Sequence, residues 1–291
     1  MFNKIKFLFK EKSYCFDSFL SHDSYGLTDS ARRFMNNDLL RNNIRLRNGR
    51  RVPEKSFESA SKQSLDLMHK LPYGDQVEYL VSHKKRFYEL CNYVAESIGD
   101  RKGLKILDIG TSVNTLILKH LFADQLVVTA DRLGVNFSEK DILPLLNVDL
   151  NDPELDFFDF GDRYDIILFA EILEHLLANP RRVFQFLLKH LTRQGVLILT
   201  TPNFFNERNL RALSEGVNPQ PIYPDYLKRG EENQYHIREY SRSELMEICD
   251  EAGGKIQAAI YSDCFDDVSD IPEFMKGNLV LFSVKKDNYS V

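Results

Sequence analysis

Five short apolar runs, separated by stretches of helical periodicity, dominate the middle of this 291-residue chain. They are Lys105–Gly110, Gln125–Asp131, a short stretch leading to Asn147-Val148-Asp149, Tyr164–Phe169 and Val196–Thr201. Such continuous apolar character suits strands buried on both faces of a parallel sheet. Parallel neighbours need crossovers of a dozen or more residues, usually helical, and the intervening segments supply them. Val113–Phe122 follows the first strand. Asn179-Pro180 gives a cap and first turn, and Val183, Phe186, Leu187, His190 and Leu191 line one face of the helix behind it. Arg193-Gln194-Gly195 turns the chain into the fifth strand. After a long irregular stretch from Pro202 to Tyr240, Ser241 and Glu244 form a capping box, and that helix runs to Gly253-Gly254. Two late strands follow near Ile256–Tyr261 and Asn278–Val284. The expected fold is α/β, a Rossmann-like doubly wound sheet of about seven strands with helices on both faces.

Upstream, Asp75–Gly99 reads as one helix, with Val77, Leu80, Val81, Phe87, Leu90, Tyr93, Val94 and Ile98 at helical spacing. Residues 1–75 are polar and helix-leaning, broken at Asn48-Gly49, Pro53 and Pro72; they read as an N-terminal, mostly helical extension before a main domain over 76–291. The net charge of −5 disfavours a general nucleic-acid binder, and the 13 Tyr and 21 Phe read as core rather than base-stacking surface. The charge is uneven: residues 1–55 hold 12 basic and 6 acidic side chains, including Arg32, Arg33, Arg41, Arg45, Arg47, Arg50 and Arg51. Such a run meets a phosphate or an anionic substrate, or more often forms a solvated face or docks on the acidic main body. Cys15, Cys91, Cys249 and Cys264 form no zinc-like spacing and read as reduced thiols. There is no apolar run of the ~18 residues that spans a membrane and no leader-like apolar stretch at the start, so a cytoplasmic protein is expected.

Ligands of doubly wound sheets bind at the carboxyl ends of the strands. The polar exceptions Asp108, Asp131, Asp149, Glu171 and Asn203 all fall there. Over roughly residues 76–285 the chain resembles the class I S-adenosylmethionine-dependent methyltransferases. The resemblance is carried by Leu107-Asp108-Ile109-Gly110, by Asp131, by Glu171-Ile172-Leu173-Glu174-His175-Leu176, by the run Gly195 to Asn203, and by His236 to Ser241. It implies S-adenosyl-L-methionine as cofactor, with Asp108, Gly110, Thr111, Asp131, Arg132, Asp149, Leu150 and Glu171 as its contacts. Asp131, 23 positions after Asp108, would accept from both ribose hydroxyls; Asp149 would reach the adenine amine, with Leu150 against the ring. The sequence departs from the family where a D-x-G-x-G-x-G pattern is usual: Ser112 and Asn114 stand in place of the later glycines.

Glu171, Glu174 and His175 share one face if they lie on a helical turn. With His236 they resemble a divalent-metal quartet of the ubiquinone-pathway O-methyltransferases and the small-RNA 2′-O-methyltransferases. Two carboxylates with imidazole suit Mn²⁺, Fe²⁺ or Zn²⁺, and Mg²⁺ less well; such an ion lowers the pKa of a bound alcohol. The alternative is His175 as general base, oriented by Glu174. The amides, arginines and tyrosines of the Pro202–Tyr240 stretch, Asn203, Arg238 and Tyr240 among them, suit a polar, hydroxyl-rich acceptor. O-methylation of a sugar, glycan or other polar small metabolite is the expected activity. RNA 2′-O-methylation and a non-catalytic scaffold with an altered glycine loop are the alternatives.

Overall fold

The computed structural model describes residues 51–68, 76–132, 144–220, 236–263 and 271–286. One sheet is built from β1 (Lys105–Ile109), β2 (Leu126–Asp131), β3 (Leu145–Asn147), β4 (Tyr164–Ala170), β5 (Leu191–Pro202), β6 (Gly254–Ser262) and β7 (Asn278–Lys285). The strands lie in the order β3-β2-β1-β4-β5-β7-β6. Neighbours from β3 to β5 are parallel, and β7 runs antiparallel between β5 and β6.

Period-two alternation splits each central strand between two cores. Ile106, Ile166, Leu168, Ile198 and Phe282 face one side, against α1 (Glu54–Met68), α2 (Gln76–Ser82), α3 (Lys84–Ile98) and α4 (Val113–Leu121). Leu107, Ile167, Phe169, Leu199 and Leu281 face the other, against α5 (Pro180–Lys189) and α7 (Arg242–Glu251). Each of these strand residues is 0–1% exposed, and full burial of a side chain of this size stabilises by about 1.5–3 kcal/mol. A single 3₁₀ turn, Leu173–His175, follows β4.

Three expectations shift in detail. The helix expected over Asp75–Gly99 is two helices, α2 and α3, meeting at His83. There Ser82 Oγ donates to Glu78 O at 2.8 Å, and His83 Nδ1 lies 3.0 Å from Tyr79 O. Side-chain bonds of this kind compete with the helical ladder. Strand β5 begins at Leu191 and takes in the expected turn Arg193-Gln194-Gly195, with an irregular register against β4 between Tyr164 and Ile166. Gly195 is needed at that point, because a Cβ would sit 2.7 Å from Tyr164 O. Third, the stretch expected to be irregular contains α6 (Glu207–Ser214), capped by the Asn206 side chain.

Of the expected N-terminal extension, α1 is described, and it packs into the main core, with Phe57 1% exposed in the same cluster as Leu116. Arg32 to Arg50, His22, His69, Cys15, Cys264, Tyr223 and Tyr226 lie outside the described residues. No helix among the described residues is long and apolar enough to cross a membrane.

Candidate active site

The chain leaves β1 toward β2 on one side and returns to β4 on the other, so the strand order reverses between β1 and β4. That reversal opens a crevice at the carboxyl ends of the two strands. Gly110 follows β1 there, and Glu171 to His175 follow β4.

Gly110 has φ +85, and its N–H donates to Ala130 O at 2.8 Å. A Cβ at this position would lie 2.7 Å from Ile172 Cδ1. The glycine therefore meets both a left-handed backbone and a close neighbour. Ser112 and Asn114, where the family pattern has glycines, need no such freedom. Ser112 is the N-cap of α4, with φ −150 and ψ 179. Its Oγ accepts from Asn114 N at 3.2 Å, and its own N–H donates to Thr115 Oγ1 at 3.2 Å. A capping box thus fixes the turn that glycines would otherwise shape.

Asp108 supports that turn from below. It is 2% exposed and accepts from Thr115 Oγ1 at 2.6 Å. Burial pushes its carboxyl up to about 7, opposed by the Thr115 bond and reinforced by Asp131. The structure places it beneath the turn, not on the open crevice. Asp131 ends β2 and is partly exposed, with Oδ2 accepting from Thr111 N at 2.8 Å. Thr111 Oγ1 lies 2.9 Å from Thr129 Oγ1. Arg132 is exposed beside it. Asp149 was expected to end the third strand; β3 stops at Asn147, and Asp149 instead forms an Asx turn, its Oδ1 accepting from Asn151 N at 2.9 Å. Leu150 turns into the core at 5% exposed.

Glu171, Glu174 and His175 were expected on one helical face, but the segment is a 3₁₀ turn preceded by a reversal at Glu171, whose φ is +56. Glu171 therefore points elsewhere. Its Oε1 accepts from Thr200 Oγ1 at 2.7 Å and Asn278 Nδ2 at 2.9 Å, and its Oε2 lies 3.4 Å from the Arg86 guanidinium. Arg86 also reaches Tyr79 OH at 2.7 Å, so α2 and α3 contribute to the crevice. Sequence reasoning missed this tie, since nothing in the helical periodicity marks Arg86.

The quartet reduces to three. Glu174, His175 and His236 each offer a ligand atom, all within 4.8 Å of one another. Glu174 is 1% exposed; Oε2 accepts from Thr201 Oγ1 at 2.9 Å, while Oε1 is buried with no hydrogen-bond partner. That orphan oxygen is 3.8 Å from His175 Nε2. Burial, and then the Glu171 charge, hold the Glu174 carboxyl well above the usual carboxylate range. The His175 and His236 rings meet edge to face with centroids 5.1 Å apart. Glu174 O accepts from Ile237 N at 2.6 Å and Arg238 N at 3.2 Å, which brings His236 to the turn.

The expected acceptor residues divide. Asn203 is fully buried: its Nδ2 donates to Phe274 O and Lys276 O at 2.8 Å each, and its Oδ1 accepts from Phe205 N at 3.1 Å. It is a strap between β5 and the segment before β7. Tyr240 is 4% exposed and pairs with Asn203 in a parallel bridge, with Phe204 N donating to Tyr240 O at 3.1 Å. Arg238 is the exposed member; it reaches Glu244 Oε1 at 2.6 Å and lies 5.4 Å from the Tyr240 ring centroid.

A family model for a methyltransferase domain matches residues 82–259. No curated protein matches the chain. Among solved structures, an S-adenosylmethionine-dependent methyltransferase from Clostridium acetobutylicum is similar at 12% identity over 77% of this chain and 98% of its own, with TM-score 0.47. The 1,6-didemethyltoxoflavin-N1-methyltransferase of Burkholderia thailandensis is similar at 13% identity over 79% and 90%, with TM-score 0.49. The N-methyltransferase NodS of Bradyrhizobium japonicum is similar at 11% identity over 80% and 100%, with TM-score 0.47. The family match spans more than half of the chain and takes in the segments from Gly110 to His236. The chain belongs to the methyltransferase-domain family and is a class I S-adenosylmethionine-dependent methyltransferase.

Proposed function

We propose that this enzyme methylates a hydroxyl oxygen of a sugar or another polar small metabolite, with a divalent ion held by Glu174, His175 and His236. The observation that carries the reading is the orphan Glu174 Oε1. A buried carboxylate oxygen left without a donor costs about 1–3 kcal/mol or more. Two imidazoles within ligand distance of it make a cation the natural partner, and this mixed nitrogen–oxygen set favours Mn²⁺, Fe²⁺ or Zn²⁺ over Mg²⁺.

The residues around Gly110 fit the cofactor. The Asp131 carboxylate stands at the end of β2, oriented by Thr111 N–H, where two ribose hydroxyls need an acceptor. S-adenosylmethionine supplies an electrophilic methyl on sulfonium, and a divalent ion supplies positive charge that makes an alcohol more acidic. Bound there, the cofactor would give up its methyl to the acceptor oxygen, the sulfonium becoming a thioether while the hydroxyl proton passes to solvent. Glu171 shapes the crevice by fixing the turn after β4, and the exposed Arg238 offers hydrogen bonds to a polar acceptor.

The test is a screen of sugars and hydroxylated metabolites, following S-adenosylhomocysteine release with and without chelator. Transfer abolished by EDTA, restored by Mn²⁺ and lost in Glu174→Gln supports the reading. Transfer that survives EDTA but is lost in His175→Ala overturns the metal assignment and makes His175 the base. Tight S-adenosylhomocysteine binding with methylation of nitrogen acceptors only overturns the choice of oxygen.

A further inference from the structure

His236 does not approach the Glu174–His175 turn as a loose loop side chain. Its Nδ1 lies 2.8 Å from Glu239 Oε1, three residues on. The other oxygen of that carboxylate, Oε2, accepts from Asn209 Nδ2 at 2.7 Å. Asn209 is 5% exposed, on α6, and its Nδ2 also donates to Phe204 O at 3.0 Å. Its backbone N–H is held by the Asn206 N-cap side chain at 2.9 Å. A chain of bonds thus runs from the first turn of α6, through Glu239, to the His236 ring. The Glu239 side chain is only 14% exposed, against 34% for His236.

The polarity of the chain is fixed by chemistry. An amide NH₂ only donates, so Glu239 Oε2 is an acceptor, and an ionised carboxylate accepts at both oxygens. The proton between Glu239 and His236 therefore belongs to Nδ1. In the neutral ring this makes Nε2 the lone-pair nitrogen. We infer that Glu239, braced by Asn209, is a positioning residue that fixes His236 in its Nδ1–H tautomer and so presents Nε2 as the metal-ligating nitrogen. The metal half of this inference rests on the function proposed above; the tautomer half does not. The same carboxylate–histidine pairing orients metal-bound histidines generally, and removing it typically weakens metal affinity by about 10–100-fold.

The experiment is long-range ¹⁵N–¹H spectroscopy of the full chain with ¹⁵N-labelled histidine, His236 being assigned by loss of its signals in His236→Gln. The wild type shows the Nδ1–H pattern for His236. In Glu239→Gln one side-chain oxygen must serve two donors. Asn209 keeps it, the new NH₂ faces Nδ1, and His236 switches to Nε2–H. Mn²⁺ titration of the same samples then shows the 10–100-fold loss in the variant. An Nε2–H pattern in the wild type overturns the inference without any variant. An unchanged tautomer in folded Glu239→Gln, or unchanged Mn²⁺ affinity where the wild type binds Mn²⁺, overturns it as well. If the wild type binds no Mn²⁺ yet shows Nδ1–H lost in Glu239→Gln, the metal assignment falls and the positioning role stands.

Discussion

Asp108 offers a direct measure of what it costs to build the capped turn after β1. The carboxyl is pushed up to about 7 in the folded state, against an ordinary value of 3.8, chiefly by burial. The folded protein therefore binds more protons than the unfolded chain between these two values, and stability falls as pH rises through that window. At about 1.36 kcal/mol per unit, a gap of roughly three units amounts to about 4 kcal/mol, carried in full above pH 7. Asp108→Asn keeps an acceptor for Thr115 Oγ1 and removes the charge. It also exchanges a charge-assisted bond for a neutral one, which returns about 1 kcal/mol. The variant is expected to be about 2–3 kcal/mol more stable than the wild type at pH 8 and within about 1 kcal/mol of it at pH 4.5. Urea unfolding at four pH values, compared as the difference between the two proteins, isolates this group because all other carboxylates cancel. A difference that stays constant within about 1 kcal/mol from pH 4.5 to 8 would refute the assignment of a desolvated Asp108 whose carboxyl is pushed up to about 7.

Gly110→Ala places a Cβ 2.7 Å from Ile172 Cδ1 at φ +85 and is expected to cost the left-handed penalty of about 1–2 kcal/mol plus the overlap. Adding Ile172→Val removes Cδ1, so a double-mutant cycle should recover the overlap but leave the backbone cost; zero coupling between the two sites would sink this account. Asn203→Ala leaves Phe274 O and Lys276 O without their side-chain donor and should destabilise by about 2–4 kcal/mol. Thermal unfolding checks this, and a loss under about 0.5 kcal/mol would show that the strap is dispensable.

The sheet was legible because parallel strands leave a strong signature. Ile106 and Leu107 are both 0% exposed yet face opposite cores, and only a strand covered on both sides needs apolar residues in succession. Caps were legible for the same local reason: Asn179 and the Ser241–Glu244 box bond as their spacing implies. The site was read less well because its geometry depends on single backbone angles. One residue with φ +56 at Glu171 turned a helical face into a reversal and moved a carboxylate out of the cluster. Glu239 stood three residues from His236, within sight of a local rule, but only the fold shows that Asn209 on α6 completes the chain. Asn203 looked like an acceptor contact because it ends a strand at the ligand edge, and nothing local marks the distant carbonyls that claim its amide.

The Asn203–Tyr240 bridge has a consequence for how a chain of this fold can diversify. The chain departs from the sheet at Asn203 and comes back beside it at Tyr240, 37 positions later. A segment clamped at its base can be lengthened cheaply, since doubling a loop adds only about 0.6 kcal/mol of closure entropy. The bonds from Ile237 and Arg238 to Glu174 O lie inside the clamp, next to its return end. Much of the intervening sequence can therefore be exchanged as a cassette, by drift or by design, while the Leu173–His175 turn keeps its shape. Residues 236–240 and the Asn209 brace are the parts such a graft has to carry over unchanged.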